Sequence, residues 1–357
     1  MGNEMLYVII GIAVFIAYQQ GLFKSLFGST PPPGTTPPPV GGGSTNFSYL
    51  TQFGSQGTED GQFIDPHDVT FDSQGNAFIP DRERNDIQVF TKDGTFIRKF
   101  GGPGSGPGQF NVPYSAQTGP EDTIWVTDRE NSRIQKFNND GTFVQEWTEI
   151  NGKPINMPED LAFDKSLQFL YFTDTGNNRI VKCTADMEFV LEWGSKGSAD
   201  DQFDHPHGID VGPDGNVYIN SGWQAAIKKF SPDGTFIKQW GSEGTEDGQF
   251  VLFLEHLDVD DTTGNVFIIN NNTRPYVFIF DSEGGYLGKF GSETEGPGDG
   301  ELAEPEHVTI DQTTGNAWVV DSGNFRIQIY AQAAPISAAY SRSYLSSFYK
   351  NRMGNVY

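Results

Sequence analysis

The 357-residue chain carries 47 acidic against 23 basic side chains, a formal net charge of −24. Because so acidic a surface repels a phosphate backbone, we expect no nucleic-acid partner. The single cysteine, Cys183, excludes an intrachain disulfide and a cysteine-based zinc cluster.

The first segment of the chain is strongly apolar. Residues 5–18 carry no charged side chain, and an extension to residue 27 reaches the length of a membrane-spanning helix. We predict an N-terminal membrane anchor at 1–28, with 5–27 in the bilayer, followed by a Pro/Gly-rich linker at 29–46. A cleaved signal peptide is the alternative, which Glu4 and the lack of a preceding basic residue disfavour. This pattern predicts a single-pass membrane protein and leaves the side of the membrane open.

From residue 47 onward a unit returns about every 47 residues. Its marker is an aromatic residue after a turn, found at Tyr49, Phe96, Phe143, Phe189, Phe236 and Tyr286. A short run of alternating apolar and polar residues also occurs six times, with Asp-Gly and Gly-Asn turns in between. Each unit therefore reads as four antiparallel strands. Six such units predict an all-β fold, a six-bladed β-propeller over 47–331.

The two ends of the repeat region differ. The last unit has only three strands, whereas the strand at 47–53 precedes the first complete unit. We predict that this N-terminal strand becomes the outer strand of the sixth blade and closes the ring, which removes exposed sheet edges. The basic, Tyr-rich tail at 332–357 is predicted to form a short helix.

Several strings within the repeats resemble a known family. GSxGxxDGQF, PHGIDVGPDGNVYI and DTGNNRI are similar to the NHL repeat of six-bladed propellers. This resemblance covers 47–330 and implies the propeller fold, which in that family serves protein binding, RNA binding, sensing or catalysis.

A narrower similarity concerns the stretch at 112–137, which resembles the peptidyl-α-hydroxyglycine amidating lyases, also NHL-like propellers. It implies catalytic roles for Arg129, Arg82 and Tyr114. It also implies an axial zinc on histidines of alternate blades and a calcium ion on Asp68. Here the only histidines at the equivalent position are His67 and His207, in blades one and four, and Tyr114 stands where that family has a zinc ligand.

One position in each blade follows the proline that opens the inner strand, or its equivalent. It holds six unlike residues, which we expect to crowd one mouth of the central channel: His67, Tyr114, Glu159, His207, Glu255 and Glu306. One interpretation is an axial divalent cation. Zinc would use His67, Glu159 and Glu255, with Asp68 and His207 as further candidates, and calcium would use oxygens such as those of Glu159, Asp160 and Glu306. The other interpretation is a hydrogen-bonded network with raised carboxyl pKa values.

The arginines fall into two groups. One group recurs in the pattern Asn-x-Arg-Ile and is predicted to pair with an aspartate of its own hairpin, as Arg133 with Asp128, Arg179 with Asp174 and Arg326 with Asp321. Arg82 and Arg129 instead follow the equivalent aspartate and are predicted to point toward the axis.

These observations predict a membrane-anchored NHL propeller that serves as a structural module or binds a protein or small ligand. The alternative is a divergent, metal-dependent amidating lyase of the carbon–nitrogen lyase type.

Overall fold

The computed structural model describes residues 47–251, 253–270 and 275–332. The strands of the first half are β1 (Phe47–Phe53), β2 (Thr70–Phe71), β3 (Ala77–Asp81), β4 (Asp86–Phe90), β5 (Phe96–Gly101), β6 (Pro113–Thr118), β7 (Ile124–Asp128), β8 (Arg133–Phe137), β9 (Phe143–Trp147), β10 (Glu149–Ile150), β11 (Lys153–Pro154), β12 (Pro158–Phe163), β13 (Phe169–Asp174), β14 (Arg179–Thr184) and β15 (Phe189–Trp193). Those of the second half are β16 (Pro206–Val211), β17 (Val217–Ser221), β18 (Ala226–Phe230), β19 (Phe236–Trp240), β20 (Leu254–Val259), β21 (Val266–Asn270), β22 (Tyr276–Phe280), β23 (Tyr286–Gly291), β24 (Pro305–Asp311), β25 (Asn316–Asp321) and β26 (Arg326–Gln332). Short 3-10 helices lie at Pro120–Asp122, Thr175–Asn177, Gly222–Gln224 and Ser322–Asn324.

These strands form six four-stranded antiparallel sheets within the described residues, which confirms the predicted all-β six-bladed propeller. In the first five blades the strand that begins near the axis is followed outward by the next three strands in chain order, as in β2-β3-β4-β5. The small hairpin of β10 and β11 lies outside this scheme.

The sixth blade is closed by the N-terminal strand, as predicted. Its order is β1-β26-β25-β24, and β1 runs antiparallel to β26 from the pair Phe47 and Gln332 to the pair Phe53 and Ile327. Phe47 stacks on Phe290 of blade five with ring centroids 4.8 Å apart. Phe53 reaches Phe90 of blade one at 5.0 Å. One short strand therefore connects three blades.

The core lies between neighbouring blades. All residues of β3, β4 and β7 are buried, because each sheet is covered on both faces, whereas the outer strand β5 alternates between half-buried and exposed residues. The repeated aromatic residue belongs to this core: Phe96 packs edge-on against Phe90 with ring centroids 5.8 Å apart. The regular aromatic positions of the repeat thus serve packing.

The predicted arginine–aspartate pairs are confirmed in three blades. The distances from Arg Nε to the nearest Asp Oδ2 are 2.7 Å for Arg133 and Asp128, 2.7 Å for Arg179 and Asp174, and 2.6 Å for Arg326 and Asp321. Blade four lacks this pair and has Ser221 and Ala226 in its place. There the Lys228 ammonium donates to the backbone carbonyls of Ala199, at 2.8 Å, and Gln202.

The predicted localisation as a single-pass membrane protein is corrected by the structure. Within the described ranges, no helix is long and apolar enough to cross a membrane. The apolar segment 5–27, the linker at 29–46 and the tail beyond residue 332 lie outside those ranges.

Candidate functional site

Six side chains converge where the inner strands begin. We call this group the axial cluster: His67, Tyr114, Glu159, His207, Glu255 and Glu306. Five of its members are buried, with exposed fractions from 0% for Glu159 to 9% for Glu306, and Tyr114 is half-buried. The predicted crowding of these positions at one mouth of the channel is confirmed by the contacts among them.

Tyr114 occupies the centre of the axial cluster. Its hydroxyl is hydrogen-bonded to His207 Nε2 at 3.1 Å, and its ring lies against the His67 ring with centroids 3.8 Å apart. The guanidinium carbons of Arg82 and Arg129 lie 5.4 and 5.5 Å from the centre of the same ring. Two cations therefore flank one phenol ring, an arrangement that is electrostatically favourable.

Both arginines reach the axial cluster, as predicted. Arg82 donates two hydrogen bonds to Asp65, at 2.8 and 2.9 Å, and a weaker one to Glu306 at 3.4 Å. Arg129 Nε donates to Glu159 Oε1 at 2.9 Å. Each side chain keeps about a fifth of its surface exposed. The arginines thus lie between buried carboxylates and solvent.

The protonation states follow from burial and from these neighbours. Burial lowers the pKa of His207 to about 4 and brings the pKa of His67 well below its usual value, so both rings are neutral at pH 7. Burial, together with Glu159 and Glu255, raises the pKa of the Tyr114 phenol well above 10. Tyr114 therefore keeps its proton.

The carboxylates of the axial cluster do not titrate alike. Burial raises the pKa of Glu306, and Arg82 opposes that shift only in part. Burial also disfavours ionisation of Glu159, but His207, His205 and Arg129 together hold its pKa at about 2. The prediction of raised carboxyl pKa values is therefore confirmed for Glu306 and wrong for Glu159.

An aromatic group beside the axial cluster is absent from the sequence-based predictions. We call it the aromatic rim: His205, Trp223 and Phe253. Trp223 is 54% exposed and packs edge-on against Phe253 with ring centroids 4.8 Å apart. His205 Nε2 lies 3.1 Å from Glu159 Oε2. The sequence feature that could have indicated the aromatic rim is Trp223 itself. The equivalent hairpin position in other blades holds Glu83, Glu130, Gly176 or Gly323.

Four of the predicted metal ligands are neighbours in the axial cluster, namely His67, Glu159, His207 and Glu255. In the part of the chain that the structure describes, no group of three or more His, Cys, Asp or Glu side chains is arranged to hold a metal ion. His67 Nε2 lies 3.6 Å from Glu306, and His207 Nε2 lies 3.5 Å from Glu255. Both distances are too long for hydrogen bonds, and His67 Nε2 and His207 Nδ1 have no hydrogen-bond partner among the described residues. The hydrogen-bonded network is therefore incomplete, and the axial zinc or calcium ion stays a prediction.

Asp68 belongs to a second layer of the channel. Its Oδ1 lies 2.6 Å from His307 Nδ1, and Asp160 Oδ2 lies 2.6 Å from His256 Nε2. The two imidazole rings stack with centroids 3.6 Å apart. Burial opposes the charged form of both histidines, but Asp160 raises the pKa of His256 to about 9, whereas the pKa of His307 is lowered. One ring of the stack is therefore charged and the other neutral at pH 7.

The fold and its side-chain-filled channel define a six-bladed β-propeller. The chain belongs to the DUF5128 family, described as 6-bladed beta-propeller, whose model matches residues 56–177 and 230–333, well over half of the chain. None of the curated proteins compared matches it. The resemblance to the NHL repeat and to the amidating lyases is not confirmed by these comparisons.

Solved structures from several bacteria share the fold. A virginiamycin B lyase from Staphylococcus aureus has 16% sequence identity and a TM-score of 0.55, over 79% of this chain and 95% of that chain. A protein of unknown function from Bacteroides thetaiotaomicron has 16% identity and a TM-score of 0.62, over 80% and 76%. A gluconolactonase from Xanthomonas campestris has 14% identity and a TM-score of 0.57, over 83% and 99%. At such identities the likeness shows the fold alone.

Proposed function

We propose that this propeller is a binding module and that its partner is a protein that contacts the aromatic rim and the arginines of the axial mouth. The observation that carries the proposal is the exposure of Trp223, 54% of whose surface is open to solvent beside buried charged groups. Trp, Tyr and Arg are the residues most enriched at binding hot spots. Trp223, Tyr114, Arg82 and Arg129 supply all three types.

The contacts connect these residues into one surface. The Trp223 ring lies 6.4 Å from the His205 ring, His205 lies 3.1 Å from Glu159, and Glu159 accepts a hydrogen bond from Arg129. A partner seated on Trp223 would therefore also meet the exposed part of Arg129. The arginines are already neutralised by carboxylates, so the partner need not be acidic. The net charge of −24 favours one with basic groups around the contact.

Replacing Trp223 with alanine should weaken capture of the partner by about 30-fold, the effect of losing roughly 2 kcal/mol at a hot spot. The measurement is quantitative affinity capture from native extract with the full chain as bait, followed by titration of the retained protein. Ile237→Ala is the matched control, because Ile237 is 45% exposed on the outer strand β19. Equal retention by wild type and Trp223→Ala would contradict the proposal, as would equal losses in both variants.

A second candidate function is lyase chemistry of the amidating type. The observation in its favour is that Arg129, Arg82 and Tyr114 lie together, with both guanidinium groups within 5.5 Å of the tyrosine ring centre. The raised pKa of Tyr114 limits its role, because a phenol that keeps its proton can donate but not accept one.

The lyase candidate predicts glyoxylate release from an α-hydroxyglycine peptide when zinc or calcium is supplied. Arg129→Ala should lower that rate by about 100-fold or more, since it removes a charge at the reacting group. Arg98→Ala is the matched control, since Arg98 lies on the outer strand β5. A wild-type protein without activity under these conditions would rule out the lyase candidate and leave the binding module.

A further inference from the structure

A second opening of the channel lies where the inner strands end, away from the axial cluster. It contains a cavity of about 440 Å³, which we call the lower cavity. Its walls are the second halves of the inner strands and the hairpins that follow them, including Asp72, Lys165, Asp258 and Gln312. No residue of the axial cluster or of the aromatic rim lines it. The lower cavity is therefore separate from the surface of the proposed binding module.

The lower cavity is strongly acidic. Eight aspartates line it, against two lysines and two histidines. Both lysines are already paired: Lys92 Nζ lies 3.7 Å from Asp311, and Lys165 contacts Asp261 and lies 4.0 Å from Asp210. His256 is paired with Asp160. The carboxylates therefore outnumber the cations that could neutralise them.

Asp258 is the least compensated of these carboxylates. It accepts hydrogen bonds from the Ile310 amide at 3.1 Å and, weakly, from the Thr309 hydroxyl at 3.4 Å. Among the described residues it has no ion pair within 4.0 Å. Burial and the nearby Asp210 raise the pKa of Asp258 well above its usual value. A cation placed beside Asp258 would stabilise the ionised carboxylate and so offset the desolvation that disfavours its charge.

His307 is an independent sign that the ligand carries hydrogen-bond donors. It lines the lower cavity, is only 5% exposed and places its Nδ1 2.6 Å from Asp68. Its Nε2 has no hydrogen-bond partner among the described residues. The His307 ring is neutral at pH 7, and the ionised Asp68 carboxylate beside Nδ1 favours the tautomer that carries its proton on Nδ1, which leaves Nε2 as an acceptor. Both Asp258 and His307 can therefore accept hydrogen bonds from N–H groups of a ligand.

We propose that the lower cavity binds a small alkylammonium ion, whose N–H groups are accepted by Asp258 and its acidic neighbours and by His307. A neutral polar molecule could satisfy His307 but not the excess of carboxylates. An anion would be repelled by them. A compact organic cation fits both the charge and the volume of the lower cavity.

The experiment is isothermal titration of the full-length protein with putrescine, at physiological salt. Wild type should bind putrescine and should not bind butanediol, which has the same carbon chain without the charges. Asp258→Asn should weaken binding by about tenfold, since it removes one facing charge and keeps the acceptor oxygen for the Ile310 amide. Glu188→Gln is the control, because Glu188 is exposed on a hairpin outside the lower cavity.

Asp261→Asn provides a second variant that does not threaten the fold, because the Asp261 side chain is 40% exposed at the rim. It removes one carboxylate and releases Lys165 toward the lower cavity, so it too should weaken putrescine binding. Equal affinity in wild type, Asp258→Asn and Asp261→Asn would show general attraction to an acidic surface and overturn the proposal. Absence of putrescine binding by wild type would also overturn it.

Discussion

Replacing Phe53 with alanine should lower the free energy of unfolding of the whole propeller by about 3 kcal/mol. Phe53 lies on β1, and its ring contacts Phe90 of blade one at 5.0 Å and Trp318 of blade six at 5.6 Å. Its loss would open a cavity at the seam where the first and last blades meet. The measurement is equilibrium unfolding in urea. Since a closed ring unfolds as a unit, the loss should appear in a single transition.

Leu50→Ala is the matched control on the same strand, because Leu50 is 53% exposed. Its effect should stay within about 0.5 kcal/mol. Deleting Phe47–Phe53 is the extreme case: it removes the whole outer strand of blade six and should abolish cooperative folding. If Phe53→Ala behaved like Leu50→Ala, the closing strand would contribute little to stability despite its pairing with β26.

The propeller could be predicted because each repeat contains local sequence patterns that specify turns and strands. Asp-Gly turns such as Asp93-Gly94 fix hairpins, alternation fixes strands, and a sheet of four strands must stack on its neighbours to bury both faces. The closure of the ring by the N-terminal strand could be predicted from the number of strands, since the last repeat lacks one strand and an extra strand precedes the first repeat. The Arg133 and Asp128 pair followed from a spacing that recurs in other blades.

The composition of the axial mouth could also be predicted, because equivalent positions of six blades meet at the axis. The contacts inside it could not. Whether Glu159 faces Arg129 or a metal depends on side-chain directions that no spacing specifies, and its low pKa arises from three neighbours in two other blades. The role of Trp223 was not predicted, because this residue departs from the repeat in a hairpin and not at the start of an inner strand. The lower cavity was not predicted either, because Asp258 and His307 fit the ordinary alternation of strand residues.

The buried pair of Asp321 and Arg326 should be a second sensitive position of the fold. Asp321 is fully buried and accepts hydrogen bonds from Arg326 at 2.6 Å, from the Ala303 amide at 2.7 Å, and from Asn324 and Gln328. Asp321→Ala should therefore cost about 3–5 kcal/mol, because it leaves a guanidinium buried without its counter-charge. Thermal and urea unfolding would measure the loss.

Two comparisons show whether charge or packing causes that loss. Asp247→Ala removes an exposed partner of Lys289, 3.1 Å away, and should change stability by less than about 1 kcal/mol.

The second comparison introduces the residues of blade four into blade six. In blade four, Ser221, Ala226 and Lys228 occupy the positions equivalent to Asp321, Arg326 and Gln328. A chain with Asp321→Ser, Arg326→Ala and Gln328→Lys has no stranded guanidinium, and its new ammonium can reach the Glu301 carbonyl as Lys228 reaches that of Gln202. It should recover a large part of the stability lost in Asp321→Ala. Equal losses in the single and triple variants would mean that the packing of Asp321, and not its charge, holds the blade.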